Sequence, residues 1–162
     1  MSEFRPSFWL RNPHLQSMLS SLPLRRRTVA RRTALLHARS RELLLDCSNG
    51  VTLQAFHAVP ERPNGRIVVL LHGWEGSADS MYILSLGQHL LLAGYAVVRL
   101  NLRDHGDTHH LNQDLFHSCR IEEVMGALLA LQRQMQERAL HLAGFSLGGN
   151  FFLRATALAG QP

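Results

Sequence analysis

A chain of 162 residues with 46% hydrophobic and 18% charged residues has the composition of one folded domain with a core, which excludes a disordered polymer. Its formal charge is +5 and every basic residue is arginine. The two cysteines, Cys47 and Cys119, have no paired spacing, which argues against a disulfide framework or a cysteine metal site and fits a reducing, cytoplasmic setting. No basic stretch followed by an apolar run marks a secretory leader, and no run approaches the ~20 apolar residues of a membrane-spanning helix.

Residues 1–41 are expected to form an irregular or partly helical segment that covers the rest, residues 42–162. Part of the positive charge lies here, in Arg25, Arg26, Arg27, Arg31, Arg32, Arg39 and Arg41. Such a cluster suits anionic lipid or nucleic acid, or it is a solvated, flexible lead-in to the first strand. Nucleic acid is not expected, because no aromatic residues interleave with the arginines to stack on bases. Residues 8–32 mix apolar and polar positions and are broken by Pro13 and Pro23. Weak peripheral membrane contact is one reading of them; packing against their own domain is the more common fate.

Glu42–Cys47 reads as a strand, Asn49-Gly50 as a hairpin turn that accepts positive φ, and Val51–Val59 as a second strand. Ile67–Leu71 is a continuous apolar run, as in a strand covered on both faces. Ser80–Ala93 reads as a helix with Ile83, Leu86, Leu90 and Leu91 on one face, stopped by Gly94. Tyr95–Leu100 is another buried strand, and a long histidine-rich loop follows to Arg120. Ile121–Arg138 reads as a helix with a stripe of Ile121, Val124, Met125, Leu128, Leu129 and Met135. A short strand, Leu140–Ala143, and a helix, Leu147–Leu158, complete the order. Strands alternating with helices after a hairpin call for an α/β fold with a mostly parallel sheet and right-handed crossovers.

Gly144-Phe145-Ser146-Leu147-Gly148 falls between that last strand and helix. A bare Gly-x-Ser-x-Gly is weak evidence, but between strand and helix it describes a nucleophile elbow. Glycine removes side chains where the turn brings strand and helix together, leaving Ser146 strained and exposed above the sheet. Acyl transfer also needs two N–H donors for the oxyanion. Leu147, after the nucleophile, supplies one. The loop after the third strand, His72-Gly73-Trp74, supplies the other, with Trp74 N–H as the candidate.

With Asn12-Pro13-His14-Leu15-Gln16, His72-Gly73-Trp74-Glu75-Gly76-Ser77, Asn101-Leu102-Arg103-Asp104-His105-Gly106-Asp107 and Gly144–Asn150 in that order, the chain resembles the YheT-like α/β-hydrolases, relatives of the abhydrolase-domain esterases and lipases. The resemblance implies a carboxylic-ester hydrolase with Ser146 as nucleophile, a small-molecule ester as substrate and no cofactor. It also implies a triad acid and histidine that follow the serine, and neither has a counterpart in the 14 residues from Gly149 to Pro162. Trp74 stands where the family is expected to carry smaller or aliphatic residues, a change that would reshape the acyl pocket.

The expectation is therefore the N-terminal part of a serine esterase, poorly active alone. Its last strand becomes a bare sheet edge able to self-associate. A non-catalytic half-domain that binds a partner or a small ester is the alternative. More distantly, the loop 104–117, with Asp104, His105, Asp107 and His109, has spacings that a metal-dependent hydrolase could use; the plainer reading is a polar pocket mouth whose Asp and Arg103 pair locally. Glu75 is expected to order its loop, and His72 and Gly73 to line the pocket.

Overall fold

The structure, a computed structural model, describes residues 7–20, 23–136 and 138–160, without the side chains of Trp9, Ser17, Ser20 and residues 23–26. Ser21 and Leu22 of the arginine-rich segment, and Glu137 of the expected helix 121–138, lie outside the described residues.

The N-terminal segment is helical. A 3-10 turn at Phe8–Leu10 leads to α1 (Pro13–Ser20), α2 (Pro23–Arg32) and α3 (Ala34–Arg39). Two inward residues tie it to the body. Leu36 is fully buried and its N–H donates to Gln88 Oε1 at 2.9 Å, while Val29 packs beside it. Five arginines of the cluster, Arg25 to Arg32, are thus carried on the docked helix α2, with Arg39 ending α3 and Arg41 on the first strand.

The hairpin follows as β1 (Ser40–Asp46) and β2 (Thr52–Ala58). Ser48, Asn49 and Gly50 all take positive φ, and Cys47 N–H closes the loop on Val51 O at 2.9 Å. Then come β3 (Ile67–Leu71), α4 (Met81–Leu92), β4 (Ala96–Leu100), α5 (Ile121–Gln134), β5 (Leu140–Gly144) and α6 (Leu147–Ala159). The sheet order is β1-β2-β4-β3-β5. β2 pairs antiparallel with β1 and β4, and β3 pairs parallel with β4 and β5.

Alternation along the strands divides the core into two layers. Leu53, Ala55, Val69, Leu71, Val98 and Leu100 face α5 and α6 and meet Val124, Ala127, Leu131, Phe151 and Phe152. Val68, Leu70 and Val97 face the other way, onto Ile83, Leu84, Leu91 and Leu36. Two helix faces differ from the sequence reading. In α4 the buried face is Ile83, Leu84, Gly87 and Leu91, with Leu86 and Leu90 at its margin. In α5 it runs through Val124, Ala127 and Leu131, and the helix ends at Gln134; Leu129 is 56% exposed. Met125, Leu128 and Leu129 instead line an open apolar groove of about 250 Å³ with Leu140, Leu142 and Ala155, alongside the free edge of β5. Among the described residues no helix is long and apolar enough to cross a membrane.

Candidate active site

The carboxyl ends of β3, β4 and β5 lie side by side because those strands are parallel, and an open α/β sheet presents ligand sites at that end. The β5 exit makes the sharpest turn. Ser146 has φ 51° and ψ −115°, a region costly for any residue with a Cβ, on the order of 1–3 kcal/mol. Its surroundings hold it there. Phe145 N–H donates to Leu71 O at 3.0 Å, and Gly148 N–H donates to Phe145 O at 2.9 Å. The two flanking glycines are sterically required. A Cβ on Gly148 would lie 2.4 Å from His72 O, and one on Gly144 would lie 2.4 Å from Gly149 N. α6 begins at once, so its free N–H groups stand behind the exposed serine.

The β3 exit packs directly on this elbow. A Cβ on Gly73 would meet Ser146 Cβ at 3.2 Å, so glycine lets the two loops touch. Gly73–Gly76 forms a turn closed by Gly76 N–H to Gly73 O at 3.0 Å, with Glu75 at φ 53°. Trp74 projects outward, 62% exposed, edge-on to Phe116. Neither the Trp74 nor the Leu147 N–H meets an acceptor among the described residues.

His72 is fully buried and already spent. Its Nδ1–H donates to Gly73 O at 2.8 Å and its Nε2 accepts the Leu102 N–H at 3.2 Å. Burial pushes its pKa down to about 4, with a weaker push from neighbouring His105 outdone by the bond to Gly73. A neutral imidazole with both nitrogens engaged ties the β3 loop to the β4 loop and is no proton acceptor for Ser146. His105 stacks at 4.8 Å from it and donates Nδ1–H to Arg103 O at 2.7 Å. The Ser146 Oγ itself has no hydrogen-bond partner among the described residues.

Several expectations for the loop after β4 change. Arg103 pairs with none of the loop's three aspartate carboxylates. Its guanidinium grips Glu123 of α5 (Nη2 to Oε1, 2.8 Å) and Asp114 O (3.0 Å), and both charged side chains are nearly buried. Asp104 is spent on the Phe116 N–H at 2.7 Å, with exposed His109 3.7 Å away, and Asp107 is exposed. Among the described residues no three His, Cys, Asp or Glu side chains gather as a metal site needs, so the metal reading loses its geometry. Glu75 is exposed and its carboxylate has no partner among the described residues; it orders the loop only through its backbone turn.

What does order the loop is a set the sequence reading missed. Tyr82 accepts the Gly73 N–H on its hydroxyl at 3.0 Å and packs on Phe145 at 4.7 Å. Asn101 Oδ1 accepts the Ala78 N–H at 2.7 Å. Arg99, 1% exposed within a strand, donates to Ala78 O at 2.8 Å and to Asp79 at 2.6 Å. A charged residue inside an otherwise apolar strand was the available signal, since a buried charge needs partners.

Comparison with known proteins agrees with this geometry. Residues 66–162 match the family model described as the α/β hydrolase fold, and the chain belongs to that family. A Haemophilus influenzae protein provisionally named an esterase/lipase is 27% identical over 105 residues, 64% of this chain and 33% of that protein. A Xanthomonas campestris α/β serine hydrolase without a lid superposes with a TM-score of 0.60 at 25% identity, covering 74% of this chain and 56% of its own. The esterase Pf2001 of Pyrococcus furiosus shares the fold at 19% identity, with a TM-score of 0.61 over 71% of this chain and 45% of its own. This chain thus spans one third of the curated relative and about half of each of these structures.

Proposed function

We propose that this chain carries the nucleophile-bearing part of a YheT-like carboxylic-ester hydrolase, with Ser146 as the attacking group. The observation that carries the reading is a positive-φ serine approached so closely by the β3 loop that a Cβ on Gly73 would lie 3.2 Å from the Ser146 Cβ. Leu147, which follows the exposed serine, and Trp74, which follows Gly73, both have N–H groups without acceptors among the described residues, and we assign them as the two oxyanion donors. In this reading Ser146 Oγ attacks the ester carbonyl and the two N–H groups take the charge that develops on its oxygen. A histidine then has to accept the serine proton and return it to the leaving alcohol, before water releases the acyl group. We assign that histidine, and the acid that orients it, to sequence following Pro162, a reading supported by the partial coverage of the relatives. The free thiols of Cys47 and Cys119 favour a reducing, cytoplasmic setting.

The chain alone is then a weak esterase, because oxyanion donors and binding without a base still give ~10³- to 10⁴-fold over water. p-Nitrophenyl butyrate hydrolysis should be slow and should change little in Ser146→Ala, because donors and binding supply the residual rate. Full turnover by the isolated chain would refute this. One observation favours a second reading, a half-domain that binds without turnover: the Ser146 hydroxyl has no base beside it among the described residues. A fluorophosphonate separates the two, since a chain that only binds leaves Ser146 unlabelled.

A further inference from the structure

We propose that the 3-10 turn, α1 and α2 form a docking face for an anionic lipid bilayer. Nine of the 17 arginines lie in the first 41 residues, and no acidic residue occurs between Phe4 and Arg41. Among the described side chains, Arg11, Arg27, Arg31, Arg32 and Arg41 of this charge are exposed. α2 is seated on α4, and Val29 is the residue it sends into the core beside Leu36 and Ile83. Arg27 and Arg31 stand two residues to either side of Val29, about 200° around the helix, and so on the opposite face. Arg27, Arg31 and Arg32 are exposed and have no carboxylate partner among the described residues. Arg39 is not part of the face, because it pairs with Glu61 at 3.3 Å.

Just ahead of the α2 arginines in the sequence, α1 carries an exposed apolar stripe. Leu15, Met18 and Leu19 have the i, i+3, i+4 spacing of one helix face, and Met18 is 68% exposed. α1 packs chiefly against the 3-10 turn, which itself presents Phe8 and Leu10. Arginines next to exposed leucine, methionine and phenylalanine are the composition of an interfacial helix. Headgroup phosphates answer the guanidinium groups, and the acyl boundary takes the apolar side chains. A nucleic-acid backbone would answer only the first of these.

Flotation with phospholipid vesicles tests this on the unmodified chain and separates bound protein from aggregates, which do not float. The chain should float with phosphatidylcholine vesicles that contain phosphatidylglycerol and stay behind with phosphatidylcholine alone. Raising the salt from about 0.1 M to about 1 M should release it, as the screening length falls from ~10 to ~3 Å. Changing Arg27, Arg31 and Arg32 together to Gln should lower partitioning roughly a hundredfold, at about fivefold per charge near the surface. Met18→Ser with Leu19→Ser should also weaken binding while leaving its salt dependence in place. Flotation equal on neutral vesicles, none on anionic ones, or a triple variant that floats like the parent would each overturn the proposal. Binding of duplex DNA or polyuridylic acid by a chain that ignores vesicles would do the same. The vesicle-composition and salt arms need no variant, so they decide the matter even where a substitution disturbs folding.

Discussion

The two sides of the candidate site are built very differently. On the β3–β4 side almost every loop group is engaged: His72 bridges to Leu102, Tyr82 holds Gly73, Asn101 and Arg99 hold Ala78, and Arg103 grips Glu123. On the β5 side the serine stands unpartnered above a strand whose outer edge is free and whose flank is an open apolar groove. The sheet's other edge shows what a managed edge looks like, for β1 carries Arg41, Glu42 and Asp46 pointing to solvent. β5 has His141 as its one polar residue, and its other exposed position, Gly144, offers no side chain. In the proposed reading, the contrast teaches that this stretch of sequence prebuilds the part that would receive negative charge, while among the described residues no base stands beside Ser146 to move a proton.

The comparison breaks first if the pinned side proves soft. Arg103→Met would leave Glu123 nearly buried with only Arg120 beside it, and should cost ~3–5 kcal/mol in urea unfolding. A loss under about 1 kcal/mol would mean the loop after β4 is not what holds this side.

Acid attacks the same side. His72 is neutral when folded because burial depresses its pKa to about 4, against 6.5 unfolded. Between those values the unfolded chain binds the proton and the folded chain does not. Stability is therefore complete above about pH 6.5 and falls as pH drops toward 4, by on the order of 3 kcal/mol from this group. Burial, with Arg41 opposite, shifts His57 the same way, and neither of its ring nitrogens has a hydrogen-bond partner, so it adds to the loss. NMR titration should find the His72 ring still neutral at pH 5. A midpoint near 6.5 would remove the reason for its bridging role.

The β5 side should respond in the opposite way. Leu129→Lys places charge in the groove at a position already 56% exposed and should change stability by less than about 1 kcal/mol. We expect the parent chain to self-associate through this edge and groove, and the variant to do so less. Sedimentation velocity showing a stable parent monomer would count against the expected role of the edge.

The order of elements from Glu42 onward was legible because apolar runs and glycines are local signals. The elbow was legible for the same reason: Gly144, Ser146 and Gly148 act on their own backbone and on the strand beside them. Less legible were the docked helices α1–α3, where of the inward residues Val29, Thr33 and Leu36 only two are apolar, too few to give an apolar period. The partners of Arg99 and Arg103 lie about 20 residues away in sequence, beyond any local pattern. Leu129 looked like core because periodicity reports an apolar face and not what covers it. Here that face lines the groove.

The central claim is that Ser146 is set for attack and lacks only its base. Intact-mass measurement of fluorophosphonate labelling, with and without added imidazole, tests it most directly. Labelling confined to Ser146 should be slow at neutral pH, accelerate with imidazole, and be absent from Ser146→Ala. Rapid labelling without imidazole would place a working base inside this chain, and a Ser146 that stays unlabelled with imidazole present would show that the site is not assembled.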